Sequence, residues 1–104
     1  MHIHKCKVHE PRSVLALQAD GFIWSDWVVE KLWVKHGVSP VEVEETFDNP
    51  PYKIRRAGDG KYLLYGQSPD GRYLFIVFAW EDNYIKIISA RDMTREERRF
   101  SRRK

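Results

Sequence analysis

The run Arg72-Tyr73-Leu74-Phe75-Ile76-Val77-Phe78-Ala79-Trp80, the polar break Glu81-Asp82-Asn83 and the run Tyr84-Ile85-Lys86-Ile87-Ile88-Ser89-Ala90 decide the fold. Two stretches rich in aromatic and β-branched residues around a short polar turn read as a hairpin. The first stretch is apolar without interruption from Leu74 to Phe78, which marks a central strand covered on both faces. Upstream, Ser68-Pro69-Asp70-Gly71 is a turn, with Pro presetting φ and Gly free to take positive φ. Before it, residues 52–56 and 61–67 flank the turn Ala57-Gly58-Asp59-Gly60. The expectation is an antiparallel sheet of three to four strands.

Helices flank this sheet on both sides in sequence. Ser25 is placed to cap a first helix that Gly37 ends. Inside it, Trp27, Val28, Leu32 and Val34, with Val29 and Trp33, spread wider than one stripe, so this helix is expected to pack on two sides. Ser39-Pro40-Val41-Glu42 opens a second helix with Pro at its first position, and Val38 and Val43 have staple spacing. Asp48-Asn49-Pro50-Pro51 stops it. Thr94-Arg95-Glu96-Glu97 is a capping box for a third, C-terminal helix. Phe22-Ile23-Trp24, after the turn Asp20-Gly21, reads as a short strand. The fold class is therefore α+β: two N-terminal helices and one C-terminal helix, packed on one face of the sheet.

The chain has 104 residues, enough for one core, and 42% hydrophobic content with four Trp, five Tyr and five Phe excludes a disordered chain. A single cysteine, Cys6, excludes an internal disulfide framework. No apolar run reaches the roughly 20 residues of a membrane span, and no signal-peptide core follows Met1. The expectation is a cytoplasmic protein with no membrane partner. Residues 1–20 read as an N-terminal extension with room for an edge strand, and residues 21–104 as a single domain. His2, His4, Cys6 and His9 cluster in the extension; His2, His4 and Cys6 would share one face of a strand. Against a zinc site, His9 points elsewhere unless the strand bends, so the reading assigns no metal and no cofactor.

The net charge of +3 is unevenly spread. Residues 91–104 hold seven basic and three acidic side chains, whereas residues 1–90 hold 11 basic and 12 acidic. Arg dominates the C-terminal group, which suits phosphate, since guanidinium offers forked donors that stay protonated. Lys53-Ile54-Arg55-Arg56 is a second basic run. The competing explanation is a solvated helix end whose cations complement the dipole. No nucleophile elbow and no Walker-type phosphate loop occurs.

Four segments, in this order and spacing, resemble the BrnT family of toxins over residues 22–101. They are Lys35-His36-Gly37-Val38-Ser39 with the acidic helix ending Phe47-x-x-Pro50; Gly66-Gln67-Ser68; Gly71-Arg72-Tyr73-Leu74; and Ile87-Ile88-Ser89-Ala90-Arg91-Asp92-Met93-Thr94, running into Glu97-Arg98-Arg99. The resemblance implies a RelE-like fold and metal-independent cleavage of RNA. It also implies a ribbon-helix-helix antitoxin that neutralises the toxin and binds operator DNA. Family members often have Trp-Asp at the start of the first helix, Lys and Asn along it, and a Tyr near the motif's end. Here these positions are Trp24-Ser25, Val28, Leu32 and Ser101, the last beside Phe100.

RNA cleavage without metal needs a base for the 2′-hydroxyl, a cation for the phosphorane-like state and an acid for the leaving oxygen. On that resemblance Arg72 and Arg91 are the expected phosphate-stabilising cations and Glu97 the base, unless it only completes the capping box. His36, beside Gly37, is a proton-transfer candidate or a helix-end residue. Tyr65 is a candidate acid or a packed sheet aromatic. Lys53, Arg55, Arg56, Arg95, Arg98, Arg99 and Arg102 are the expected nucleic-acid contacts. Two other functions stay open: a non-catalytic protein- or nucleic-acid-binding module of the same fold, and a small metal-binding domain.

Overall fold

The computed structural model describes residues 19–103 and, as backbone, residues 2–4. In chain order these form β1 (His2–His4), β2 (Gly21–Trp24), α1 (Asp26–His36), α2 (Pro40–Phe47), β3 (Lys53–Gly58), β4 (Lys61–Gln67), β5 (Tyr73–Glu81), β6 (Tyr84–Asp92) and α3 (Arg95–Arg102). The helix ends follow local chemistry. Ser25 Oγ accepts from the Val28 N–H, and Gly37 at φ 63° closes α1. Ser39 Oγ accepts from the Glu42 N–H to start α2. Thr94 and Glu97 complete the capping box of α3.

The expected antiparallel meander is present as β3, β4, β5 and β6, but the sheet is larger and mixed. Its order is β1-β2-β6-β5-β4-β3. β2 joins β6 in parallel, with Phe22 opposite Ile85, and β1 lies antiparallel on β2. Parallel strands cannot be joined by a hairpin, and here the long connection runs through α1 and α2 to the far edge strand β3 and back along the meander to β6. The three- to four-strand expectation thus captured the hairpin-linked strands and missed the pairing made across sixty residues of sequence.

The helices also divide between two faces rather than sharing one. Phe47 of α2 meets Phe22 and Phe78 edge to face at 5.2 and 5.3 Å. With Val28, Leu32, Leu64, Leu74, Ile76 and Ile87 they form the core. Gly66 lets α2 come this close: a Cβ there would sit 2.9 Å from both the Thr46 and Leu64 side chains. Side chains alternate across a strand, so Tyr65 points the other way. There Tyr65 meets Phe100 of α3 at 4.8 Å. α3 therefore covers the opposite face.

Among the described residues α1 packs on one side only. Val28 and Leu32 are buried, whereas Trp27, Trp33 and Val34 are 67%, 63% and 72% exposed. The wide apolar distribution read from sequence meets no second layer among those residues. Among the described residues, no helix is long and apolar enough to cross a membrane. Cys6 and His9 of the N-terminal cluster, and the side chains of His2 and His4, lie outside the described residues.

Candidate functional site

One irregularity in β6 decides which face its arginine serves. Pairing with β5 runs Val77 opposite Ser89 but Phe78 opposite Ile87, so β6 carries one extra residue at Ile88. Such a bulge reverses the alternation beyond it. Ile85, Ile87 and Ala90 all reach the core. Arg91 then emerges on the α3 face, opposite Phe75. Without the bulge, strict alternation from Ile87 would send Arg91 into the core.

Lys53, Tyr65, Phe75 and Arg91 consequently form one row across β3, β4, β5 and β6. The Arg91 guanidinium lies over the Phe75 ring at 4.3 Å. It also grips Glu97 with a fork, Nη1 to Oε1 at 2.8 Å and Nη2 to Oε2 at 2.9 Å. Hydrogen bonding from Arg91 and from Thr94 holds the Glu97 carboxyl below its ordinary pKa, against the opposing effect of burial. Arg91 is pushed correspondingly upward by Glu97. In this state Glu97 is an ion-pair partner and a weak base.

α3 is pinned above this row through Phe100. Lys53 Nζ donates to the Phe100 carbonyl, and the Lys53 and Arg55 cations lie 4.5 and 5.2 Å from its ring. Of the basic run on β3, Lys53 and Arg55 thus face α3. Arg56 pairs with Tyr62, which stacks on Phe78 on the core side, so Arg56 projects away from α3. Arg95, Arg98, Arg99, Arg102 and Arg103 are exposed on α3 and at its end. They form no ion pair among the described residues.

The other expected residues sit elsewhere. Arg72 is held on the α1–α2 side: it donates to Asp92 at 2.6 and 3.0 Å, to Glu42 at 3.0 Å, and to the His36 and Gly37 carbonyls at 2.7 and 3.0 Å. It closes the exposed carbonyl end of α1 and ties both helices to β6. His36 lies on this side too, near enough to Asp92 that its charge helps lower the Asp92 pKa, though Arg72 is the main cause. The four expected catalytic residues therefore split, Arg91 with Glu97 and Arg72 with His36, and do not share one cleft. Tyr65 is 5% exposed and packed between Phe75 and Phe100.

A groove missed from sequence opens beside α3. Its volume is about 460 Å³, and its lining includes Asn49, Gln67, Tyr73, Lys53, Arg102 and Arg103. Its floor pairs Gln67 with Tyr73 across β4 and β5, on the side of Tyr65 and Phe75. No contiguous motif marks it, because its walls come from the α2–β3 connection and the end of α3. Among the described residues, no group of three His, Cys, Asp or Glu side chains could hold a metal.

The crystal structure of the Brucella abortus ribonuclease toxin BrnT is similar, with a TM-score of 0.60 at 16% identity, over 71% of this chain and 96% of that one. No curated protein sequence matches. The family model described as the ribonuclease toxin BrnT of a type II toxin-antitoxin system matches residues 24–97, from the end of β2 to Glu97. The shared span covers the crossover helices, the meander and the Arg91–Glu97 fork. The chain belongs to the BrnT family of type II toxin–antitoxin ribonuclease toxins, a membership that implies an antitoxin partner.

Proposed function

We propose that this protein cleaves RNA without a metal ion on the sheet face beneath α3. The family match over residues 24–97 carries the reading, and the Arg91–Glu97 fork beside the exposed arginines of α3 supports its location. The exposed arginines of α3, with Arg55 beside Phe100, attract the phosphate backbone. A phosphate that engages Arg91 competes with Glu97 for the same guanidinium. Glu97 then loses the partner that holds its pKa down and becomes the stronger base.

The released carboxylate takes the 2′-hydroxyl proton, and the 2′ oxygen attacks phosphorus. The bond to the 5′ oxygen breaks, and that oxygen takes a proton from water. The products are a 2′,3′-cyclic phosphate and a 5′-hydroxyl end. Arg91 stabilises the charge that builds on the phosphorus oxygens. Arg72 and His36 act on the other side of the sheet, where they fix the helices that position β6. The antitoxin is a ribbon-helix-helix protein, and operator DNA meets this chain only through it.

The test is purified protein on total RNA with chelator present. Cleavage leaving 5′-hydroxyl ends, lost in Glu97→Gln and Arg91→Ala, is expected. Intact RNA overturns the reading in favour of a non-catalytic module of this fold. Cleavage untouched by either substitution overturns the site.

A further inference from the structure

Arg72 is saturated by internal partners, whereas the groove beside α3 holds polar groups that are not. Asn49 Nδ2 donates to the Gln67 carbonyl at 2.7 Å. Gln67 Nε2 donates to the Gly71 carbonyl at 3.0 Å. These bonds fix which end of each amide is nitrogen. Asn49 Oδ1 and Gln67 Oε1 accept no hydrogen bond within the described residues. Asn49 and Gln67, each with a spare acceptor oxygen, thus line one groove together with the partly buried Tyr73 and the cations Arg102 and Arg103, which form no ion pair among the described residues.

We propose that this groove is a base-reading subsite for single-stranded RNA with a preference for guanine, a proposal that rests on the ribonuclease reading above. Single-stranded RNA is read by stacking unpaired bases on aromatic rings and hydrogen-bonding their pairing edges. Among the four RNA bases, guanine alone puts two donors side by side on that edge, N1–H and N2–H. The spare acceptor oxygens of Asn49 and Gln67 are the chemistry that such a pair of donors needs. Uracil offers one donor between two carbonyls, which meets the same oxygens with repulsion on either side. Tyr73 supplies a stacking face, and Arg102 and Arg103 hold the adjoining phosphate. A cavity of about 460 Å³ lies within the usual range for small-ligand sites.

Titration of the full chain with the 5′-monophosphates of guanosine, adenosine, cytidine and uridine, followed by amide NMR shifts, tests this directly. The guanosine nucleotide should bind at least tenfold more tightly than the uridine one, with shifts at Gln67 and Tyr73. Gln67→Met should reduce guanosine binding to the level of the others, while Gln67→Glu, which keeps acceptor oxygens, retains the preference. Replacing Arg102 and Arg103 together by Gln should weaken all four nucleotides by a similar factor. Equal affinity for the four, or shifts confined to residues outside the groove, overturns the proposal. The readout is independent of cleavage: selective binding beside intact RNA keeps the subsite and rejects the reaction.

Discussion

Arg72 and Arg91 serve opposite faces of the sheet, although both stand at the same end of the β5–β6 hairpin. Arg72 is engaged by Asp92, Glu42 and the carbonyl end of α1. Arg91 is set over Phe75 on the α3 side with Glu97 in its grip. One arginine holds the fold, and the other faces the side where the free positive charge lies.

Arg72→Ala should therefore act on stability. Losing a set of charge-assisted bonds, each worth about 1.5–3 kcal/mol at most, and exposing orphaned helix carbonyls should lower unfolding free energy by about 2 kcal/mol. Arg72→Lys should restore little, since a single ammonium cannot span the carboxylate fork and the helix end together. Urea denaturation of the three proteins checks this.

Acid should weaken the protein through the same pairs. Asp92 and Glu97 are both held below their unfolded pKa values, mainly by hydrogen bonds from Arg72 and Arg91. A depressed carboxylate contributes its stability above the unfolded pKa and loses it as pH falls through the folded one. Stability should be level near neutrality and fall as pH drops through about 4.5, where an ordinary Glu is half protonated. Glu97→Gln should flatten that fall in denaturation curves recorded from pH 7 to pH 3.

Gly66→Ala should destabilise by about 1–3 kcal/mol, the range for forcing extra atoms into a packed site. The added carbon would meet Thr46 and Leu64 at 2.9 Å and the Tyr52 Cβ at 3.3 Å. A lower thermal midpoint, with a weakened Phe47 environment by NMR, is the expected result.

Exposed arginines on α3 should govern RNA affinity without governing the fold. Arg98→Gln combined with Arg99→Gln should leave the thermal midpoint within a few degrees, since both are exposed and neither forms an ion pair among the described residues. The same change should weaken RNA binding and reduce its dependence on salt by about one unit of slope for each phosphate no longer neutralised. Fluorescence titration of a labelled single strand at several salt concentrations measures both.

Local signals made the helices and the meander legible in sequence. Ser25 with Gly37, Ser39 with Pro40 and Thr94 with Glu97 each set a boundary through groups close together in the chain. The parallel partnership of Phe22 with Ile85 had no such marker, because it depends on the helices carrying the chain to the far edge and the whole meander returning it beside β2. The fate of Arg91 was hidden for a related reason. The break in apolar alternation from Ile85 and Ile87 to Ala90 is the trace of the bulge in β6, and a reading of the strand as regular passes over it. Arg72 and Arg91 are the same residue type beside the same hairpin; only their partners on opposite layers separate them.

The most direct measurement of whether Glu97 and Arg91 cut RNA is the fate of total RNA incubated with the purified chain in excess chelator, beside the Glu97→Gln and Arg72→Lys variants. Cleavage to 5′-hydroxyl ends by the parent protein, abolished by Glu97→Gln and retained by Arg72→Lys at a temperature where that variant stays folded, is the predicted result. RNA left whole by the parent, or cut equally well by Glu97→Gln, would contradict it.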